Sequence, residues 1–215
     1  MKWELIIFDC DGVLVDSEAI QNRVFYQILD GIGWDLSYEK TLEAFIGRSM
    51  ADCLKICEQR LGHSLPADFE ARLQEQTFAA FARELQIMPG VEEALERIDA
   101  PICVASSGSL TKIRKTLGLA GLLTRFKGRM FSAAQVARGK PHPDLFLYAA
   151  HEMHAAPAAC AVIEDSVTGV QAGMSAGMTV FGYAPAGQGA ELAAAGAKAF
   201  GDMRELPDLL QTSGL

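Results

Sequence analysis

The chain has 215 residues, 50% of them hydrophobic and 21% charged, with 19 Lys+Arg against 27 Asp+Glu for a formal net charge of −8. That composition supplies a real core and excludes a disordered or low-complexity chain, while the length fits one large domain or a domain with a small insert. The acidic balance, with no basic run anywhere, excludes the concentrated positive surface needed to grasp a nucleic acid backbone, and no apolar stretch approaches the roughly 18 residues of a membrane span.

The opening segment MKWELIIFDCDG holds a continuous apolar run, Leu5-Ile6-Ile7-Phe8, that ends at Asp9. Runs of this kind fit strands buried on both faces, as in a parallel sheet. Carboxylates within this segment are unlike a secretory leader, so a cytoplasmic protein is expected. Residues 17–86 contain no strand-like run but several helical stretches, at 19–29, 50–61 and 69–85. Val15-Asp16-Ser17 and Met88-Pro89-Gly90 flank them as hinges. Residues 91–98 place Val91, Ala94, Leu95 and Ile98 at helical spacing. A second strand-like run, Ile102-Cys103-Val104-Ala105, ends at Ser106; a helical pattern follows at 145–153. A third, Cys160-Ala161-Val162-Ile163, ends at Glu164, and another helical pattern covers 167–176. A fourth apolar run spans 178–183, and the Ala-rich stretch 184–199 reads as a loop and a surface helix. The five cysteines form no CxxC pair and no Cys/His cluster of zinc spacing, so reduced, buried thiols are expected.

Strands alternating with helices predict an α/β fold with a Rossmann-like parallel-sheet core, built from residues 1–16 plus 87–215, and an all-α insert at 17–86. Ligands of such sheets bind beyond the carboxyl ends of the strands. Asp9, Ser106 and the Glu164-Asp165 pair all stand at those ends, so residues far apart in the chain are expected on one edge.

Each motif also has a plain structural reading. Asp9-Cys10-Asp11-Gly12 is a turn after a strand, or two carboxylates on one side of an extended chain that require a cation or proton. Glu164-Asp165-Ser166 is a helix cap, or, with Asp9, a cluster of oxygen ligands suited to Mg²⁺. Lys140, in Gly139-Lys140-Pro141-His142-Pro143-Asp144, is a surface lysine in a turn, or a cation on a stiff loop that neutralises phosphate or carboxylates. Ser106-Ser107-Gly108 is a strand-to-helix turn, or a hydroxyl and backbone N–H groups that cradle a phosphate.

The order and spacing of these four elements resemble the haloacid dehalogenase superfamily of phosphohydrolases, over essentially the whole chain. Asp9-Cys10-Asp11-Gly12-Val13-Leu14-Val15-Asp16-Ser17-Glu18 is similar to the first motif in its phosphatase and phosphomutase form. Ser106, Lys140 and Glu164-Asp165-Ser166 stand where the second, third and fourth motifs have their functional residues. The insert and the Pro89-Gly90-Val91 step resemble the subgroup with an α-helical cap, which contains β-phosphoglucomutase and several sugar-phosphate phosphatases.

The resemblance implies that Asp9 is the nucleophile, forming an aspartyl-phosphate, and that Asp11 is general acid and then general base. It implies Mg²⁺ held by Asp9, the Asp11 carbonyl and Asp165, with Glu164 beside or on the metal. Lys140 would oppose the charge repulsion; Ser106, with the N–H groups of Ser107 and Gly12, would hold the phosphate. From the insert, Arg48 and Gln21 would contact substrate. Gln21 departs from mutase-like members, which have a His there, and Met50 stands where the mutase grips its second phosphate with Arg. These departures favour phosphoryl transfer to water. The expected activity is a Mg²⁺-dependent phosphatase of sugar phosphates or phosphorylated sugar acids, the last suggested by 98–104, which resembles a stretch of 6-phosphogluconate phosphatases. A phosphomutase, or an inactive binding module on the same fold, are the alternatives. The only partner expected is the small phosphate ester, with no membrane or nucleic acid; the oligomeric state is open, and a monomer is compatible with the sequence.

Overall fold

The computed structural model describes residues 3–45, 50–185 and 187–213. The chain forms two compact units, Met1–Asp16 with Gln86–Leu215, and Ser17–Leu85. In chain order the strands and α-helices are β1 (Leu5–Phe8), α1 (Glu18–Asp30), α2 (Tyr38–Phe45), α3 (Met50–Leu61), α4 (Phe69–Glu84), α5 (Val91–Arg97), β2 (Ile102–Ser106), α6 (Leu110–Leu119), β3 (Met130–Ser132), α7 (Asp144–Glu152), β4 (Cys160–Glu164), α8 (Val167–Ser175), β5 (Thr179–Tyr183), α9 (Gly189–Ala194), β6 (Lys198–Phe200) and α10 (Leu206–Ser213).

All six strands join one parallel sheet in the order β3-β2-β1-β4-β5-β6. β1 lies inside it, with Ile7 opposite Cys103 of β2 and Val162 of β4. Its four side chains are at most 1% exposed, which explains the unbroken apolar run: neither face meets water. Burying one such side chain contributes roughly 1.5–3 kcal/mol, so the strand that carries Asp9 is firmly anchored. Leu5, Ile7, Cys103, Ala105, Cys160 and Val162 pack with Leu145, Phe146 and Ala149 of α7 and Val170 of α8.

The inner strands lie where the apolar runs predict them. The outer strands β3 and β6 do not announce themselves in the sequence, being three residues each, and β6 carries an exposed lysine. The stretch 184–199 holds the expected helix, α9, but its end turns into β6. Where the chain leaves and re-enters the first unit its two passes run side by side. The Asp16 N–H donates to Gln86 O at 3.0 Å and the Met88 N–H to Leu14 O at 3.0 Å.

The Ser17–Leu85 unit is helical throughout its described elements, with α1 against α4. Phe25 stacks on Phe45 with ring centroids 5.2 Å apart, and the buried Trp34 indole donates to Thr41 Oγ1 at 2.7 Å. No helix among the described residues is long and apolar enough to cross a membrane. All five cysteines are buried.

Candidate active site

The register of the central strands sets the site. Phe8 pairs with Val104 and with Ile163, and the Asp9 N–H donates to Ile163 O at 2.9 Å. Asp9 therefore leaves β1 beside the ends of β2 and β4, where Ser106 and Glu164 are each 1% exposed. Lys140 reaches the same point from the loop ahead of α7. Its Nζ donates to Asp9 Oδ1 at 2.5 Å, to Glu164 Oε1 at 2.5 Å and to Ala105 O at 3.3 Å. The ammonium also lies 5.0 Å from the centroid of the buried Phe146 ring, a cation–π contact that blocks water from that side.

Glu164 is held at both oxygens. Its Oε2 accepts from the Asp165 N–H at 3.1 Å, the Ser166 N–H at 3.1 Å and the Ser166 hydroxyl at 2.9 Å. Ser166 Oγ in turn accepts the Gly169 N–H at 3.1 Å, capping α8. A Cβ on Gly169 would stand 1.9 Å from Glu164 Cδ, so only glycine lets α8 approach this carboxylate.

Burial is the largest influence on the Asp9 carboxyl and raises it from 3.8 to about 7; Lys140 pulls it down, while Glu164 and Asp11 push it further up. Burial opposes the Lys140 charge too, but the Asp9 and Glu164 carboxylates outweigh it and raise the ammonium above the ordinary lysine value. Lys140 therefore stays a cation, and two buried carboxylates compete for it.

Past β1 the chain turns at Gly12, whose φ of +76° suits glycine, and a Cβ there would lie 1.9 Å from Asp165 Oδ2. Asp165 thus rests directly against the turn that follows Asp11. The Asp11 carboxylate pairs with Lys112, Oδ2 to Nζ at 2.9 Å. Ser106 Oγ accepts the Gly108 N–H at 3.1 Å and keeps its own hydroxyl proton to donate. Ser107 is exposed beside it.

Asp9, Asp11, Gly12, Ser106, Ser107, Lys140, Glu164 and Asp165 are thus gathered at one sheet edge. Glu164, expected beside or on a metal, accepts from Lys140 and from three donors at the start of α8, and so anchors that lysine. One expectation needs correction. The Gly12 N–H, expected to hold phosphate, donates to Val15 O at 2.9 Å instead. Gln21 lies partly buried on α1 in the helical unit, and Arg48 falls outside the described residues. Lys112, Phe146 and Gly169 are additional. Of these only Lys112 has a sequence signal: a cation in the first turn of α6, where the helix dipole favours acids, asks for a carboxylate partner.

Among the described residues no group of three or more His, Cys, Asp or Glu side chains stands ready to hold a metal. The site's charge nevertheless fits a hard divalent cation. Four carboxylates, Asp9, Asp11, Glu164 and Asp165, face two ammonium groups, Lys112 and Lys140, leaving two negative charges in excess. Mg²⁺ needs only one or two carboxylates, completing its shell with other oxygens and water. Asp9, beside Lys140, and Asp165, against Gly12, are the carboxylates such an ion would use.

A family model of haloacid dehalogenase-like hydrolases matches residues 3–177. The 6-phosphogluconate phosphatase of Escherichia coli is 31% identical over 212 residues, covering 98% of this chain and 96% of that protein. Among solved structures, a conserved haloacid dehalogenase-like protein of Agrobacterium tumefaciens superposes with a TM-score of 0.84 at 32% identity, over 99% of this chain and 100% of that one. A HAD family hydrolase of Deinococcus radiodurans, solved with bound phosphate and sodium, superposes with a TM-score of 0.80 at 31% identity, over 99% of this chain and 96% of that one.

Proposed function

The chain belongs to the haloacid dehalogenase-like hydrolases, and from that premise we propose that it hydrolyses phosphorylated sugars or sugar acids with Asp9 as nucleophile and Mg²⁺ as cofactor. It is a phosphoric monoester hydrolase of that family; the substrate class, the metal and the covalent route are our reading. The observation that carries it is the buried Asp9 carboxyl at the end of an inner strand, 2.5 Å from a buried lysine that Glu164 holds in place.

Asp9 attacks phosphorus and the ester oxygen departs, giving an aspartyl-phosphate. Asp11 donates a proton to that leaving oxygen, then takes one from the water that attacks the aspartyl-phosphate. Ser106 donates its hydroxyl proton to a phosphate oxygen, and the Ser107 N–H lies beside it at the strand end. Lys140 offsets the repulsion between the anionic nucleophile and the phosphate dianion; at 4 Å two unit charges repel by roughly 4 kcal/mol at an effective dielectric near 20. Asp9, Asp165 and the Asp11 carbonyl would hold Mg²⁺, which would supply the remaining positive charge near the transferring phosphoryl group. From the helical insert, Gln21 and Arg48 are assigned to the non-reacting part of the substrate.

The test is phosphate release from sugar phosphates, sugar-acid phosphates and nucleotides. Turnover of the first two classes above the third, lost with a chelator and restored by Mg²⁺, is expected. Uniform inactivity across the set would point to a binding module. A phosphomutase predicts something else: β-glucose 1-phosphate with a trace of the bisphosphate would give glucose 6-phosphate and no free phosphate, which would overturn hydrolysis.

A further inference from the structure

Lys140 cannot orient Asp11, because Asp9 and Glu164 already engage it. A different cation meets Asp11. Lys112 Nζ lies 2.9 Å from Asp11 Oδ2, and each side chain is 17% exposed. The reach is built locally. Ser109 caps α6 by accepting the Lys112 N–H at 3.2 Å, which fixes the first turn. The Lys112 stem then crosses Gly108, where a Cβ would stand 3.2 Å from Lys112 Cδ, 3.5 Å from Ser106 Oγ and 3.9 Å from Asp11 Oδ2. The path from α6 to Asp11 runs through the space that this glycine leaves.

We propose that Lys112 is a positioning residue that fixes the Asp11 carboxyl for proton transfer, which rests on the reading of Asp11 as general acid and base. A proton donor is effective only within hydrogen-bond reach of the oxygen it serves, and an Asp side chain that swings loses that reach. Held at Oδ2 by Lys112, Asp11 exchanges its proton through Oδ1. As the ester bond to phosphorus breaks, the proton passes to the leaving oxygen and Asp11 becomes a carboxylate; Lys112 is paired with that carboxylate. The same carboxylate then takes a proton from water as the water oxygen bonds to phosphorus and the Asp9–phosphorus bond breaks. Lys112 touches neither the nucleophile nor the reacting phosphorus and acts through Asp11.

The leaving group separates this role from others. kcat/KM reports events up to formation of the aspartyl-phosphate, and a nitrophenolate departs without a proton whereas a sugar alkoxide does not. Lys112→Met is expected to lower kcat/KM for glucose 6-phosphate about 10- to 100-fold, part of the ~10²–10⁴-fold that acid catalysis supplies, while p-nitrophenyl phosphate changes less than about 3-fold. Lys112→Gln keeps a donor to the carboxylate, recovers part of the loss, and carries the test if the Met variant folds poorly. In an Asp11→Asn background Lys112→Met should add nothing further. Equal losses on both esters with raised KM would make Lys112 a phosphate ligand and overturn the proposal, as would losses that multiply with Asp11→Asn. If Asp11→Asn shows the leaving-group split and Lys112→Met does not, the Lys112 role alone fails. If Asp11→Asn itself shows no split, Asp11 is not the acid and both fall.

Discussion

Asp9→Asn should give a protein that is inactive and, above neutral pH without metal, more stable than the parent. Burial raises the Asp9 carboxyl from 3.8 to about 7, so between those values the folded protein retains a proton that the unfolded chain has released. Stability therefore falls as pH rises through that window, and the penalty is fully present above about pH 7. A shift of about three units corresponds to about 4 kcal/mol. That shift is already net of the attraction of Lys140, so the gain at pH 8 is at most about 4 kcal/mol, or a rise in Tm of up to about 8–16 °C for a chain of this size. At pH 5 the parent Asp9 is largely protonated, and the advantage should shrink or reverse. Thermal unfolding of both proteins at pH 5 and pH 8 in chelator measures this directly, with phosphate release to confirm inactivity. Added Mg²⁺ at pH 8 should then stabilise the parent more than the variant. A difference in Tm that is no larger at pH 8 than at pH 5 would refute burial as the force acting on Asp9, and substantial turnover by the variant would remove Asp9 as nucleophile.

Glu164→Gln should be both destabilised and slow. Whichever way the amide turns, its NH₂ faces either the Lys140 ammonium or the N–H and O–H donors that Oε2 accepts, and breaking a buried ion pair costs about 3–5 kcal/mol. A fall in Tm of about 6–20 °C and a kcat lower by about 10²-fold are expected; an unchanged Tm and kcat would show that Glu164 does not anchor Lys140. Gly12→Ala should act on the metal requirement, because the new methyl would sit 1.9 Å from Asp165 Oδ2 at a backbone φ of +76°. About 1–3 kcal/mol of stability should go, and the Mg²⁺ concentration for half-maximal rate should rise about 10- to 100-fold. An unaltered Mg²⁺ titration would take Asp165 out of the metal site.

The parts of the molecule that the sequence discloses are those under the strongest two-sided constraint. β1, β2 and β4 are covered on both faces, so each writes an unbroken apolar run, and the first polar residue after each run lands at the carboxyl edge of the sheet. Edge strands face weaker demands, which is why Met130-Phe131-Ser132 and Lys198-Ala199-Phe200 carry no such signal. The helical stretches at 19–29, 50–61 and 69–85, free of strand-like runs, correspond to α1, α3 and α4. The stretch of sequence around Arg48 has no periodicity to read, and specificity of the kind expected from it depends on side-chain placement that no pattern encodes.

Within the site, the limit of the sequence is that it gives residue types but not pairings. Asp9 and Asp11 read as one DxD pair, yet the chain bends at Cys10 between them and each carboxylate has its own lysine, Lys140 for Asp9 and Lys112 for Asp11. Glu164 and Asp165 read as one acidic pair, yet the first is the last residue of β4 and turns inward, while the second lies beyond the strand against Gly12. Successive residues at a strand end point in different directions, so adjacency in sequence argues against a shared task. The net charge of −8 misleads for a related reason: it sums over the whole surface, whereas binding a phosphate dianion depends on the balance among six side chains. There, two lysines offset half of four carboxylates, and the remaining two charges are what a divalent cation would balance. An anionic substrate can then approach an acidic protein, because the field it meets is set at the sheet edge.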